Sequence, residues 1–202
     1  MYKVFYNGRV IHLMNNDHRV IQPGRNIYIY RNKKKLCKML HSFYHEDIPE
    51  LFILHHNPGK LLEKVKSCYR FIEAGGGLVR NTAGHVLVIK RRGKWDLPKG
   101  KAGKDEKIRE AALREVKEEC GLHDLLTTGR LTTTFHVYMD KGQSCLKRTS
   151  WYTMITGDLS GGTPQSSEEI TELKWLRPYE LPSILDNTYP AVVDVLKAGG
   201  LL

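Results

Sequence analysis

The chain has 202 residues, 41% hydrophobic and 27% charged, a composition that excludes a disordered or fibrous protein and fits one domain with a small addition. No run approaches the ~18 apolar residues of a membrane span, and the start MYKVFYNGRV has no apolar core of a signal peptide, so no membrane partner is expected. The net charge of +10 is uneven: residues 1–70 carry 13 Lys+Arg against 5 Asp+Glu, and residues 71–202 carry 19 against 17.

An N-terminal excess of that sign attracts polyanions such as nucleotides, inositol polyphosphates or RNA; the plainer alternative is that the lysines only keep the chain in solution. Cys37, Cys68, Cys120 and Cys145 are scattered, with no C-x-x-C pair. That spacing argues against a disulfide framework or zinc site and points to a reducing cytoplasm.

In chain order, residues 2–6 and 9–13 alternate around Asn7-Gly8, which predicts a β-hairpin. A polar stretch with Pro23-Gly24 follows, then a short strand at Ile27–Tyr30. Leu36, Met39, Leu40 and Phe43 recur at helical spacing within Lys34–Tyr44. Leu51–Leu54 reads as a strand, Asn57-Pro58-Gly59 as a turn, and Lys60–Cys68 as a helix. This gives a basic α+β segment, residues 1–69, too small to be comfortably stable alone. It is expected to pack on the rest of the chain or on a second copy, widening a phosphate rim, forming a homo-oligomer contact or capping a site.

From residue 70 the pattern changes. Phe71–Val79 reads as a strand whose Gly75-Gly76-Gly77 permits close backbone approach, a bulge or a flexible turn. Asn81–Gly84 turns the chain into a strand at His85–Lys90. A helix is predicted from about Asp105 to Cys120, with Leu113, Val116 and Cys120 as its buried stripe and Gly121 just past its end. Strands at 129–139 and 147–157 flank Lys141-Gly142, and the Gly/Ser/Thr-rich loop Ser160–Ser167 is long enough to be mobile and functional. Leu173–Leu176 is a strand, and Pro178–Leu185 and Tyr189–Ala198 are helices.

The most informative residues are Glu115, Glu118 and Glu119. On a helix they fall within roughly a third of a turn. Like charges at that spacing cost about 0.2–0.5 kcal/mol per pair. A hard cation such as Mg²⁺, which takes carboxylate and phosphate oxygens, reverses that cost. By itself an Arg-Glu-x-x-Glu-Glu run is more often a solvated helix face.

The whole stretch Gly100–Leu122 decides between these readings. It fits G-x5-E-x7-R-E-U-x-E-E-x-G-U, with U a bulky aliphatic residue, at Gly100, Glu106, Arg114, Glu115, Val116, Glu118, Glu119, Gly121 and Leu122. Its seven fixed residues coincide by chance on the order of once in 10⁸ windows at roughly 7% usage each. This stretch resembles the box of the Nudix hydrolase family, and the resemblance spans about residues 70–199.

The resemblance implies an α+β Nudix fold, a mixed sheet sandwiched between helices, in a domain at 70–202. It implies hydrolysis of a diphosphate linkage with Mg²⁺, or Mn²⁺ in its place. Glu115, Glu118 and Glu119 are the implied metal ligands, joined by the Gly100 carbonyl. Glu115 and Glu118 are also implied in catalysis. Arg114 and Glu106 read as residues that hold the carboxylates in place. Ser167–Leu176 resembles the distal loop and strand of diadenosine tetraphosphate hydrolases, which makes Glu169 a candidate base or extra ligand beside the reading of a plain acidic loop.

The preceding W-x-L-P-K-G at Trp95–Gly100 resembles diadenosine polyphosphate hydrolases and inositol diphosphate phosphohydrolases. Lys99, Arg92 and Lys94 are therefore substrate-phosphate candidates, with Arg91 and Lys101 extending the rim, while Trp95 reads as core rather than as a base-stacking platform. Phe135, His136, Tyr138 and Tyr152 lie on strands that could line a base pocket, but alternation lets only about half of them do so. The substrate class this favours is a nucleoside or dinucleoside polyphosphate. Inositol pyrophosphates and nucleotide-sugar diphosphates are the enzymatic alternatives, and a non-catalytic nucleotide- or RNA-binding regulator is the alternative of another class. The intact carboxylate set argues against the last.

Overall fold

The computed structural model describes residues 1–16, 24–158 and 162–202. Pro23 and part of the expected loop Ser160–Ser167 lie outside the described residues. The chain forms two compact units, one of Met1–Ile72 with Phe135–Lys147, the other of Glu73–Thr134 with Arg148–Leu202. The long hairpin of the second half contributes its tip to the first unit, an assignment that no single boundary along the sequence can express.

In the first unit, β1 (Tyr2–Tyr6) and β2 (Arg9–Met14) form the expected hairpin, with Asn7 and Gly8 both at positive φ. β3 (Ile27–Ile29) and β4 (Glu50–Leu54) are added in parallel, giving the order β1-β2-β4-β3. α1 (Lys33–His45) begins where the Asn32 side chain accepts from the Lys35 N–H. α2 spans Pro58–Lys66, two residues earlier than expected. Asn57 is its N-cap and Pro58 its first residue, so the turn signal was a helix start. Val4, Ile11, Leu13, Leu51 and Ile53 meet Leu36, Leu40, Phe43, Leu61 and Val65 in one core.

Cys37 and Cys68 are joined by a disulfide, which corrects the expectation of four free thiols. Leu36 and Leu40 of α1 and Leu61 and Val65 of α2 share that core, so α1 brings Cys37 to Cys68, two residues past the end of α2. Sequence separation gave no hint of that proximity. Cys120 and Cys145 are free and buried.

The second unit is built on β5 (Arg70–Asn81), β6 (Val86–Arg91), β7 (Lys94–Asp96), β8 (Lys99–Lys101), β9 (Leu126–Asp140), β10 (Gln143–Thr156) and β11 (Ile170–Leu176). Its sheet runs β11-β6-β5-β10-β9, with β7 on β6 and β8 on β5. Strand alternation then divides the core. Val86 and Val88 pack with Leu181, Ile184, Val192 and Val195, from the 3₁₀ segment Pro178–Asn187 and α4 (Pro190–Ala198). Leu87 and Ile89 pack with Ala112, Val116 and Cys120 of α3 (Ile108–Cys120). Helices therefore cover both faces of a mixed sheet, the architecture expected.

α3 starts about three residues later than predicted. Glu106 lies in the turn before it, where its carboxylate accepts from the Gly103 N–H at 2.7 Å, so it does not occupy the first helical turn. The buried stripe also differs: Ala111 and Ala112 are fully buried and Leu113 only half so, because the helix sits very close to β5. At Gly75 a β-carbon would stand 2.6 Å from both the Ala112 nitrogen and the Ile108 oxygen. Gly75 is thus the seat of α3, and the glycine run lies within a continuous strand rather than a flexible turn.

Candidate active site

α3 carries Glu115, Glu118 and Glu119 beside β8, and Gly75↔Gly100 pairing holds β8 on β5. The organising residue is Arg114. Its Nε and Nη2 engage both oxygens of Glu106 at 2.8 and 2.9 Å. Its Nη1 donates to Glu115 Oε1 at 2.8 Å and to Glu118 Oε2 at 2.9 Å, and Nη2 reaches the Lys101 carbonyl at 3.2 Å. One cation thus serves three carboxylates, leaving the cluster acidic.

Gly100 lies under the Glu115 carboxylate with no room for a side chain. Glu119 faces the other way and is 1% exposed. The backbone N–H of Lys99 donates to its Oε2 at 2.9 Å, and Arg91 Nη1 stands 3.7 Å from its Oε1. Burial raises the pKa of Glu119 to about 7, against the pull of Lys99 and Arg91. Burial likewise raises Glu115, opposed by Arg114. Glu106 is held down at about 2 by its bonds from Arg114.

Among the described residues no three His, Cys, Asp or Glu side chains stand ready around one point for an ion. Arg114 takes up Glu115 and Glu118, while Glu119 turns to Lys99 and Arg91. The donor chemistry nevertheless suits a hard cation: Arg114 holds Glu115 and Glu118 together, Glu119 is the next residue of the same helix, Glu115 and Glu119 are partly and wholly buried, and Gly100 gives Glu115 its seat.

The structure places the other expected residues as follows. The Lys99 ammonium bonds the buried carboxylate of Asp96 and also reaches the Leu97 carbonyl at 3.3 Å. Lys94 extends over the Tyr189 ring at 5.3 Å. Arg92 pairs with Glu169. Trp95 is half-buried against the α4-side core, consistent with its reading as a packing residue, and Phe135 is in the core of the first unit.

Two participants were missed: Asp96 neutralises Lys99, and Glu168 bonds Arg91 Nη2 at 2.7 Å. Arg91, expected on the positive rim, stands beside Glu119. The signal for that place was present in the sequence. Arg91 follows Leu87 and Ile89 at period 2, and those residues face α3. The hairpin at Arg92-Gly93, with both residues at positive φ, was also legible as an X-Gly turn.

The NUDIX domain profile matches residues 71–196, well over half of the chain. A Bacillus subtilis (strain 168) protein called "Putative 8-oxo-dGTP diphosphatase" is 31% identical over 125 residues, covering 60% of this chain and 77% of its own. Two solved structures share the fold. The Caenorhabditis elegans Ap4A hydrolase binary complex has a TM-score of 0.51 at 22% identity, covering 64% of this chain and 95% of its own. A NUDIX hydrolase from Nitrosomonas europaea has a TM-score of 0.51 at 19% identity, covering 65% and 89%. Fold, box and profile agree on an enzyme that cleaves phosphoric anhydrides. The chain belongs to the Nudix hydrolase family and is a pyrophosphohydrolase.

Proposed function

We propose that the substrate is a nucleoside or dinucleoside polyphosphate, a small molecule, and that a divalent cation, Mg²⁺ or Mn²⁺, serves the reaction. Glu115, Glu118 and Glu119 would hold the cation, with the carbonyl of Gly100. Such an ion neutralises phosphate oxygens and lowers the pKa of a bound water. The observation that carries this reading is the Arg114 clamp, which fixes Glu115 and Glu118 on one helix face at 2.8 and 2.9 Å.

The chain's own residues supply position and charge. Arg114 sets the rotamers of Glu115 and Glu118, and Glu106 anchors Arg114. Glu115 and Glu118 are the catalytic carboxylates of this reading, and Glu169 is the distal candidate for the base. In the structure Glu169 is paired with Arg92, so acting as a base requires that pair to open. Lys99 and Arg92 are the phosphate-binding cations on the same condition, because Asp96 and Glu169 now occupy them. Lys94 has the weaker case, given its place over Tyr189. The name of the Bacillus relative supports a nucleotide substrate.

A cytoplasmic location belongs to the same reading. No described helix is long and apolar enough to cross a membrane, but the Cys37–Cys68 bond weighs against a reducing compartment. Cell fractionation decides between them.

Product analysis by ion chromatography tests the substrate class. The panel holds nucleoside triphosphates, diadenosine tetraphosphate, ADP-ribose and an inositol pyrophosphate. Highest kcat/KM on one of the first two supports the proposal. A preference for the inositol pyrophosphate or ADP-ribose moves the enzyme to another subclass.

A further inference from the structure

We propose that Arg91 grips a phosphate of the substrate chain and that Glu168 is its exchangeable counter-ion, displaced when a polyphosphate binds. The inference deepens the substrate reading above and rests on it.

Arg91 ends β6 with its guanidinium between two carboxylates on different elements. Nη1 stands 3.7 Å from Oε1 of Glu119, buried on α3, and Nη2 donates to Oε2 of Glu168 at 2.7 Å. The two sides are unequal. Glu119 is 1% exposed and fixed by the Lys99 N–H, whereas the Glu168 side chain is 46% exposed, in the 3₁₀ turn Ser166–Glu168. A guanidinium fork fits a carboxylate and a phosphate in the same way. Phosphate oxygens can take the place of Glu168 while Arg91 keeps its position beside Glu119.

The backbone around Glu168 marks the same place. Glu169, the ion-pair partner of Arg92, has φ 60°, in the left-handed region without being glycine, whereas the positive φ of Arg92 is that of its hairpin turn with Gly93. The β6–β11 register slips between Ile170 and Glu172 directly afterwards. Unusual backbone of this kind persists where the surroundings hold it, and it concentrates at clamps and switches. Two consecutive arginines thus meet two consecutive glutamates where β6 faces the loop before β11. Exposed ion pairs of this type contribute little stability, so exchange for a more highly charged anion is cheap.

The test is isothermal titration of the full chain with inorganic tripolyphosphate in EDTA, so that neither metal binding nor turnover enters the reading. Glu168→Gln should tighten binding about threefold by releasing Arg91. Arg91→Gln should weaken it about tenfold. The double variant should show no gain from Glu168→Gln. Arg91→Lys, which keeps the charge but loses the fork, should fall between wild type and Arg91→Gln. The proposal is overturned if Glu168→Gln leaves binding unchanged or weaker, or if its gain survives without Arg91. If Arg91→Gln does not fold, Glu168→Gln alone and in the Arg91→Lys background decides by the same criteria. An enzyme inactive on every nucleotide would undo the substrate reading without altering this pattern.

Discussion

A β-carbon at Gly100 would stand 1.8 Å from Oε2 of Glu115 and 2.0 Å from its Cδ. The obstacle is the end of a flexible side chain, so Gly100→Ala can be accommodated by swinging Glu115 aside. The fold should survive and the Glu115 carboxylate should not remain in place. We expect melting within a few degrees of wild type and a fall in kcat of about 10²-fold, the scale of an ångström-sized misplacement. Circular dichroism melts and steady-state rates on one preparation check both halves.

Gly75 gives the opposite outcome. Its added β-carbon would meet backbone, the Ala112 nitrogen and the Ile108 oxygen, each at 2.6 Å. Backbone of a packed helix cannot rotate away. Gly75→Ala should destabilise the protein by about 1–3 kcal/mol. Denaturant unfolding measures it, and a midpoint equal to wild type would contradict the seating of α3 on β5.

Glu106 links the site to acid stability. Its folded-state pKa is lowered from 4.5 to about 2 by the Arg114 hydrogen bonds first and the Gly103 N–H second. A depressed carboxylate pKa contributes stability at pH above about 4.5, and that contribution disappears as pH falls toward 2. Glu106→Gln should therefore flatten the stability profile between pH 4.5 and 2 and lose activity through a loosened Arg114. Unfolding midpoints taken across that range report the effect, and an unchanged slope in the variant would remove Glu106 from the clamp.

The Cys37–Cys68 bond closes a loop with a sequence separation of 31. Chain-entropy arguments assign about 3–4 kcal/mol to a loop of that length as an upper value. Thiol titration of the denatured, unreduced chain should find only Cys120 and Cys145, and prior reduction should expose all four cysteines and lower the melting temperature. Four reactive thiols without reductant would show the bond absent from the protein as isolated.

How much of this was readable in advance depended on the range of the signal. Asn7-Gly8 and Lys141-Gly142 announced their hairpins because such turns depend only on local backbone geometry. The box announced α3 and its carboxylates because it fixes residue types at fixed spacing along one helix. Boundaries failed where one side chain changed the local balance. Asn57 capped α2 early, and Glu106 turned to Arg114 and delayed α3. The disulfide and the Lys99–Asp96 and Arg91–Glu168 pairs were hidden for another reason. The disulfide and the Arg91–Glu168 pair need the fold to bring their partners together, whereas Asp96 and Lys99 are only three residues apart and meet across Leu97-Pro98.

The measurement that bears most directly on the central claim is ³¹P NMR of the products formed in ¹⁸O-enriched water with Mg²⁺, on the best nucleotide of the panel. We expect the label on a phosphate product, turnover abolished by EDTA, and turnover lost in Glu118→Gln despite a native melting curve. Label absent from phosphorus, or full activity in Glu118→Gln, would contradict attack of water on phosphorus at this carboxylate face.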